Sequence, residues 1–183
     1  FLRSLNQDDP SISLVHDMFV RNDTVYASCG YQGLYIYKFT GTNFVNIGSL
    51  TNYPGSGYKH SSTMAPGSNK MVFCDEVPTG LPAKIIDVSN PANIVFNSTF
   101  ESTVNATTTP HNPYMMGPDR VAIAYYQDGL QIFDVSDPNN VVRSGYFDTN
   151  PNDCPTCPNP SYSGCWGAYV DLPSGIVLAT DMQ

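Results

Sequence analysis

Val25-Tyr26-Ala27-Ser28, followed by Gly33-Leu34-Tyr35-Ile36-Tyr37, reappears 96 positions later as Val121-Ala122-Ile123-Ala124 and Gly129-Leu130-Gln131-Ile132-Phe133. Half of that interval is 48 residues, and around the midpoint stand Met71-Val72-Phe73-Cys74 and Ala83-Lys84-Ile85-Ile86-Asp87. A further start, Ile176-Val177-Leu178-Ala179, lies near the C-terminus. A fixed period in this range marks a repeat architecture, in which each copy is one supersecondary unit. Each unit begins with a short, nearly continuous apolar run, the pattern of a strand buried on both faces, as at the inner edge of a packed array. A turn follows. In the third copy it is Gln127-Asp128-Gly129, and Asp-Gly between two apolar runs is a strong hairpin signal because glycine accepts the positive φ of such turns. The next strand alternates, with Leu130, Ile132 and Val135 separated by Gln131 and Asp134. Val141 to Phe147 then runs back toward the next copy.

Antiparallel four-stranded units of this length predict an all-β fold, a β-propeller with about four blades in this chain and a ring that does not close within it. An open β-solenoid or sandwich is the competing architecture. The units start near residues 16, 60, 111 and 166 of a single domain or fragment spanning 1–183. Asp87-Val88-Ser89-Asn90-Pro91 and Asp134-Val135-Ser136-Asp137-Pro138, 47 residues apart, read as turns that close the second strand of their units. Asp and Ser side chains bond nearby backbone N–H groups there, and proline cannot continue a ladder. They lack the dense Asp/Asn/Gly spacing of a calcium loop.

Composition agrees. The 183 residues include 14 Gly and 15 Pro, with 12% aromatic and only 13% charged residues, which suits strands joined by many turns and excludes a long-helix protein. A net charge of −8 repels phosphate backbones and anionic headgroups, so nucleic acid and membrane surfaces are not expected partners. No apolar run is long enough for a transmembrane segment. The start, Phe1-Leu2-Arg3-Ser4, reads as that of a chain processed or cut from something longer.

The pairs His16-Asp17 and His111-Asn112, together with Gly-Leu-x-Ile-x-Asp-Val-Ser-x-Pro strands, resemble the LVIVD repeat proteins and particularly the choice-of-anchor B domain. Ala124 to Pro138, Gly145-Tyr146-Phe147-Asp148-Thr149, Cys165-Trp166-Gly167 and Leu172-Pro173-Ser174-Gly175 are similar to that family's closing half. Blade one departs from the pattern with Lys38-Phe39-Thr40-Gly41, and blade two carries an insertion from Glu76 to Pro82. The resemblance implies an extracellular β-propeller, secreted or displayed at the cell surface, with no catalytic residues to carry over.

Three histidines share one slot. His16, His60 and His111 fall 12, 14 and 13 residues before Ser28, Cys74 and Ala124, and Trp166 takes the slot 13 before Ala179. Equivalent positions in a propeller are related by rotation about the channel. A ring of ligands for a metal or an anion is one reading of the slot, with calcium or a transition metal as the cofactor. The other, favoured here, is that each His, with its neighbour Asp17, Ser61 or Asn112, bonds backbone and fixes the loop leading into its blade, with no cofactor. Asp75-Glu76 and Asp181 are read as turn acids that could also reach the channel.

Five cysteines give an odd count, and Cys154, Cys157 and Cys165 crowd one Pro/Asn-rich loop where a disulfide is expected, its pairing undecided. Cys29 and Cys74 read as small buried hydrophobes. Asn22, Asn97 and Asn105 begin glycosylation sequons. Tyr53, Tyr58 and Tyr114 in loops are candidates for a recognition face. No Gly-x-Ser-x-Gly elbow, His-Glu-x-x-His or phosphate loop occurs. The sequence thus points to a non-catalytic module that binds a surface protein or glycan, or packs against neighbouring subunits of an assembly. The alternative is a metal-dependent hydrolase or lyase using the channel histidines.

Overall fold

The computed structural model describes residues 3–149, 151 and 162–182. Its first blade is β1 (Asp17–Arg21), β2 (Thr24–Ser28), β3 (Leu34–Phe39) and β4 (Phe44–Leu50), hydrogen-bonded in that order. The second is β5 (Lys59–Met64), β6 (Lys70–Asp75), β7 (Ala83–Asp87) and β8 (Val95–Phe100). The third is β9 (Asn112–Met115), β10 (Arg120–Ala124), β11 (Leu130–Asp134) and β12 (Val142–Phe147). β13 (Gly164–Tyr169) and β14 (Leu178–Met182) pair in the position of a fourth. Every pairing is antiparallel. The chain folds as part of a β-propeller, its blades opening with β1 at Asp17, β5 at Lys59, β9 at Asn112 and β13 at Gly164. No helix among the described residues is long and apolar enough to cross a membrane.

The innermost strands are β1, β5, β9 and β13, since β1 lies against β5, β5 against β9 and β9 against β13. This corrects the sequence reading, which set the apolar runs innermost. Those runs are the second strands, and the physical reason is simple: a second strand is sandwiched between two neighbouring sheets, whereas an inner strand has one edge on the channel. β2, β6 and β10 are buried almost end to end, and so is β5, although its run Lys-His-Ser-Ser-Thr-Met is largely polar.

Apolar side chains fill the wedges between blades. Tyr26, Leu34 and Ile36 of the first blade meet Met64, Met71, Phe73 and Ile86 of the second. Val72, Cys74 and Ile85 meet Val121, Ile123 and Phe133 of the third. Ala122, Ala124 and Leu130 pack with Cys165. The remaining face of the first blade, Val25, Ala27, Cys29 and Tyr37, is covered by Leu5, Ile12 and Val15 of the N-terminal segment. Strand alternation thus assigns successive residues of one strand to two different wedges. Gly48 is fixed by the tightest of these approaches, because a Cβ there would stand 1.9 Å from the Pro91 carbonyl oxygen of the next blade.

The two Asp-Val-Ser segments close as turns, as read from the sequence. Asp87 Oδ1 accepts from the Ser89 N–H at 2.7 Å, and Asp134 Oδ1 accepts from the Ser136 N–H at 2.9 Å.

Two lysines lie in the wedge between the second blade and its neighbours. Lys84 Nζ is 2.7 Å from Asp75 Oδ2, and Asp75 also accepts from the Tyr53 hydroxyl at 2.9 Å, so Asp75 is a buried ion-pair partner and not a turn acid. Tyr53, read as a recognition residue, is buried for the same reason. Lys59 is fully buried without a hydrogen-bond partner, its Nζ 3.1 Å from the centre of the Phe73 ring. Burial lowers its pKa to about 7. The unfolded chain therefore binds more protons than the folded one between about pH 7 and 10.4, and this group's destabilisation is full below 7 and fades as pH rises. Lys59→Met, which keeps the volume and removes the charge, is expected to raise unfolding free energy by roughly 2–4 kcal/mol at pH 6. Urea melts of the two proteins at pH 6 and pH 9.5 check it: the gain shrinks at the higher pH.

Candidate functional site

The slot residues stand at the start of the inner strands. His16 and His111 immediately precede β1 and β9, and their N–H groups bond Ser28 O at 2.8 Å and Ala124 O at 2.9 Å. His60 and Trp166 lie within β5 and β13, each at a register shift, between Lys59 and Ser61 and between Cys165 and Gly167. A bulge re-aims one side chain without ending the ladder.

Side by side, the four form a column of rings. Centroids are 4.2 Å apart for His16 and His60, 4.3 Å for His60 and His111, and 4.1 Å for His111 and Trp166. Each imidazole uses Nδ1 on the next residue of the slot: His16 Nδ1 to His60 O at 3.2 Å, His60 Nδ1 to His111 O at 3.2 Å, and His111 Nδ1 to Trp166 O at 2.7 Å. The partner is thus the next blade's backbone, where the sequence reading expected the residue's own loop. Ser61 Oγ also donates to His111 O, and Asn112 Nδ2 donates to Trp166 O at 3.0 Å. A carbonyl only accepts, so Nδ1 carries the proton in each of these bonds; Asn112 Nδ2, a donor, also stands 2.9 Å from His111 Nδ1, and the closer 2.7 Å approach to Trp166 O sets the proton on Nδ1 there, leaving Nε2 a lone pair.

Nε2 of His60 and His111 point at one carboxylate. Glu76 Oε2 lies 3.7 Å from His60 Nε2 and Oε1 lies 3.9 Å from His111 Nε2. The donor atoms of His60, Glu76 and His111 all fall within 4.8 Å of one another. Glu76 follows β6 and stands at the head of the insertion that departs from the repeat. Its N–H bonds Tyr58 O at 2.9 Å, and the Tyr126 hydroxyl donates to Oε1. His111 is 0% exposed and its Nε2 has no hydrogen-bond partner. Burial lowers the His60 pKa to about 3, with the neighbouring imidazoles adding to it, and burial also lowers that of His111. Both rings are therefore neutral at physiological pH. Burial, and then the bond to Glu76, push the Tyr126 phenol upward, so it remains a donor.

A cavity of about 620 Å³ opens over this cluster, lined by the four slot residues together with Asp17, Glu76, Asn112 and Tyr114 among others. The structure thus brings His16, His60, His111 and Trp166 together. It adds Tyr126, which the sequence reading missed although the Tyr125-Tyr126 doublet stands just before the Asp128-Gly129 turn. Asp181 is exposed and accepts from Thr149 Oγ1, away from the cluster. Cys165 is a buried free thiol, which removes it from the disulfide candidates; Cys154 and Cys157 lie outside the described residues. Cys29 and Cys74 are buried free thiols, as read.

The architecture is that of a β-propeller, and two segments, residues 84–102 and 121–149, match the LVIVD repeat model. These cover β7 with β8 and β10 to β12, the strands in which the Asp-Val-Ser turns fall. No curated protein sequence matches the chain.

The ring column makes a graded prediction. His111→Phe keeps the ring shape and removes the shorter of the two bonds to Trp166 O, leaving that from Asn112 Nδ2, and is expected to cost about 0.5–1.5 kcal/mol. His16→Phe, at an exposed position, is expected to cost about 0.5 kcal/mol or less. Thermal melts of the two variants check the order.

Proposed function

We propose that the chain is a non-catalytic β-propeller module of the choice-of-anchor B type, secreted or held at the cell surface, whose channel cavity binds a glycan or a protein segment. The observation that carries this reading is the wall of the 620 Å³ cavity. Trp166, 42% exposed, offers an aromatic face, and Asp17, Glu76 and Asn112 offer hydrogen-bonding groups beside it. An apolar platform flanked by a few placed polar groups is how such pockets gain both affinity and orientation. The Nδ1 atoms of the histidines are engaged in joining blades, which leaves recognition to the rim. The crowding of Cys154 and Cys157 in one Pro/Asn-rich stretch supports a place outside the cell.

A glycan and protein array probed with the labelled chain tests this. Trp166→Ala removes the platform while leaving the backbone carbonyl that His111 uses. It is expected to weaken the captured interaction at least tenfold, about 1.4 kcal/mol, with a melting temperature within a few degrees of the parent. An array without any ligand, or equal binding by the variant, contradicts the reading.

A further inference from the structure

We propose that His60 Nε2, His111 Nε2 and a Glu76 carboxylate oxygen form a three-ligand site for a divalent transition cation, with zinc the best match, and that its remaining coordination position faces the channel cavity. The inference goes beyond the proposed recognition role and does not rest on it.

Three features carry it. First, the cluster is a set of acceptors with no cation among them. The backbone carbonyls of His111 and Trp166 hold the protons of His60 and His111 on Nδ1. Two ring lone pairs therefore face one carboxylate at 3.7 and 3.9 Å. Like poles at this separation in a buried site are unfavourable unless a positive charge lies between them. Second, His111 Nε2 is an unpartnered polar atom on a fully buried side chain, aimed at that carboxylate. Buried polar groups in native proteins find partners, so an orphan here marks the place of something that binds. Third, the outer contacts are those a metal histidine uses. Each ring is oriented through Nδ1 by a backbone carbonyl, which fixes the tautomer and raises the basicity of Nε2. Glu76 is oriented in turn by the Tyr126 hydroxyl.

The donor set selects the ion. Two imidazoles and one carboxylate suit zinc and its neighbours in the first transition row, while calcium and magnesium require oxygen ligands throughout. Ligands at zinc distances of about 2.0–2.2 Å in tetrahedral array stand about 3.4 Å apart. The present spread of up to 4.8 Å must therefore contract by about 1.4 Å along its longest edge. Glu76 lies in a connecting segment after β6, His60 within β5 and His111 just before β9, so uptake of an ion draws in the two rings together with the Glu76 side chain. The fourth position then opens on the cavity beside Trp166 and Asp17. Three protein ligands with one open position is the arrangement that holds water or a ligand donor on the metal.

Cobalt(II) titration of the chelator-treated chain is the test, because the ion reports its own ligands. The expected result is uptake of one equivalent with visible d–d bands of a four- or five-coordinate ion, no thiolate charge-transfer band, and displacement by zinc. Glu76→Gln, of the same size and still able to accept from Tyr126, is expected to lower cobalt affinity at least tenfold while its circular dichroism matches the parent. Absence of uptake at millimolar cobalt overturns the proposal, as does a thiolate band, which assigns the metal to cysteines. Equal affinity of Glu76→Gln does so too. Because the spectrum is read on the parent chain, a variant that fails to fold does not remove the test. Binding of array ligands in the presence of chelator separates failure of this site from failure of the recognition role.

Discussion

The hydrogen bond from one blade's imidazole to the next blade's inner-strand carbonyl is the constraint on which the centre of this molecule depends. Neighbouring sheets in a propeller diverge from the axis, so inner strands approach one another without forming a shared ladder. Among the described residues outside named strands, the β-bridges across blades are Gly30–Lys59 and Tyr126–Cys165. A carbonyl at the channel edge has lost its strand partner and still requires a donor. A histidine at the slot supplies one through Nδ1, three times in succession. The ring stacking that accompanies it follows from the same spacing, since rings that reach the neighbouring carbonyl stand side by side.

This arrangement has a chemical consequence. A histidine has two ring nitrogens, and a structural role for one fixes the other as a lone pair. The clasp and the convergent Nε2 pair are thus one device. The two readings of the slot weighed from sequence, backbone anchoring and ligand binding, use opposite edges of the same rings. Blade two supplies the third member of the cluster. Its insertion at 76–82 is tied to the third blade through Gly80 N–H to Thr108 O at 3.1 Å, and it begins with the carboxylate that faces both Nε2 atoms.

Much of the fold was legible because second strands are sandwiched on both faces, which writes an unbroken apolar run once per blade. The four unit starts and the Asp-Val-Ser turns follow from that run and from local turn chemistry. The order of strands within a blade was not legible from the same signal. Lys59-His60-Ser61-Ser62-Thr63 does not look like a central strand, because its environment is a channel edge and its satisfaction comes from neighbouring blades. Lys84 inside an apolar run is explained only by Asp75 across the sheet. The histidine slot was visible as spacing, whereas its partners were not, since 12 to 14 residues of separation say nothing about which blade an Nδ1 reaches. Tyr126 was hidden for a different reason. Its counterpart in the first blade is Gly30, and the two share a positive φ of 47° and 57° while having no side chain in common.

The tautomer of the two buried imidazoles tests the account most directly. Long-range ¹⁵N–¹H correlation spectra of the metal-free chain at neutral pH separate protonated from bare ring nitrogens. The account predicts neutral rings with the proton on Nδ1 at His60 and His111. An Nε2–H tautomer or a doubly protonated ring at His60 or His111 contradicts it, because the bond that joins the blades and the lone pair that faces Glu76 would then both be absent.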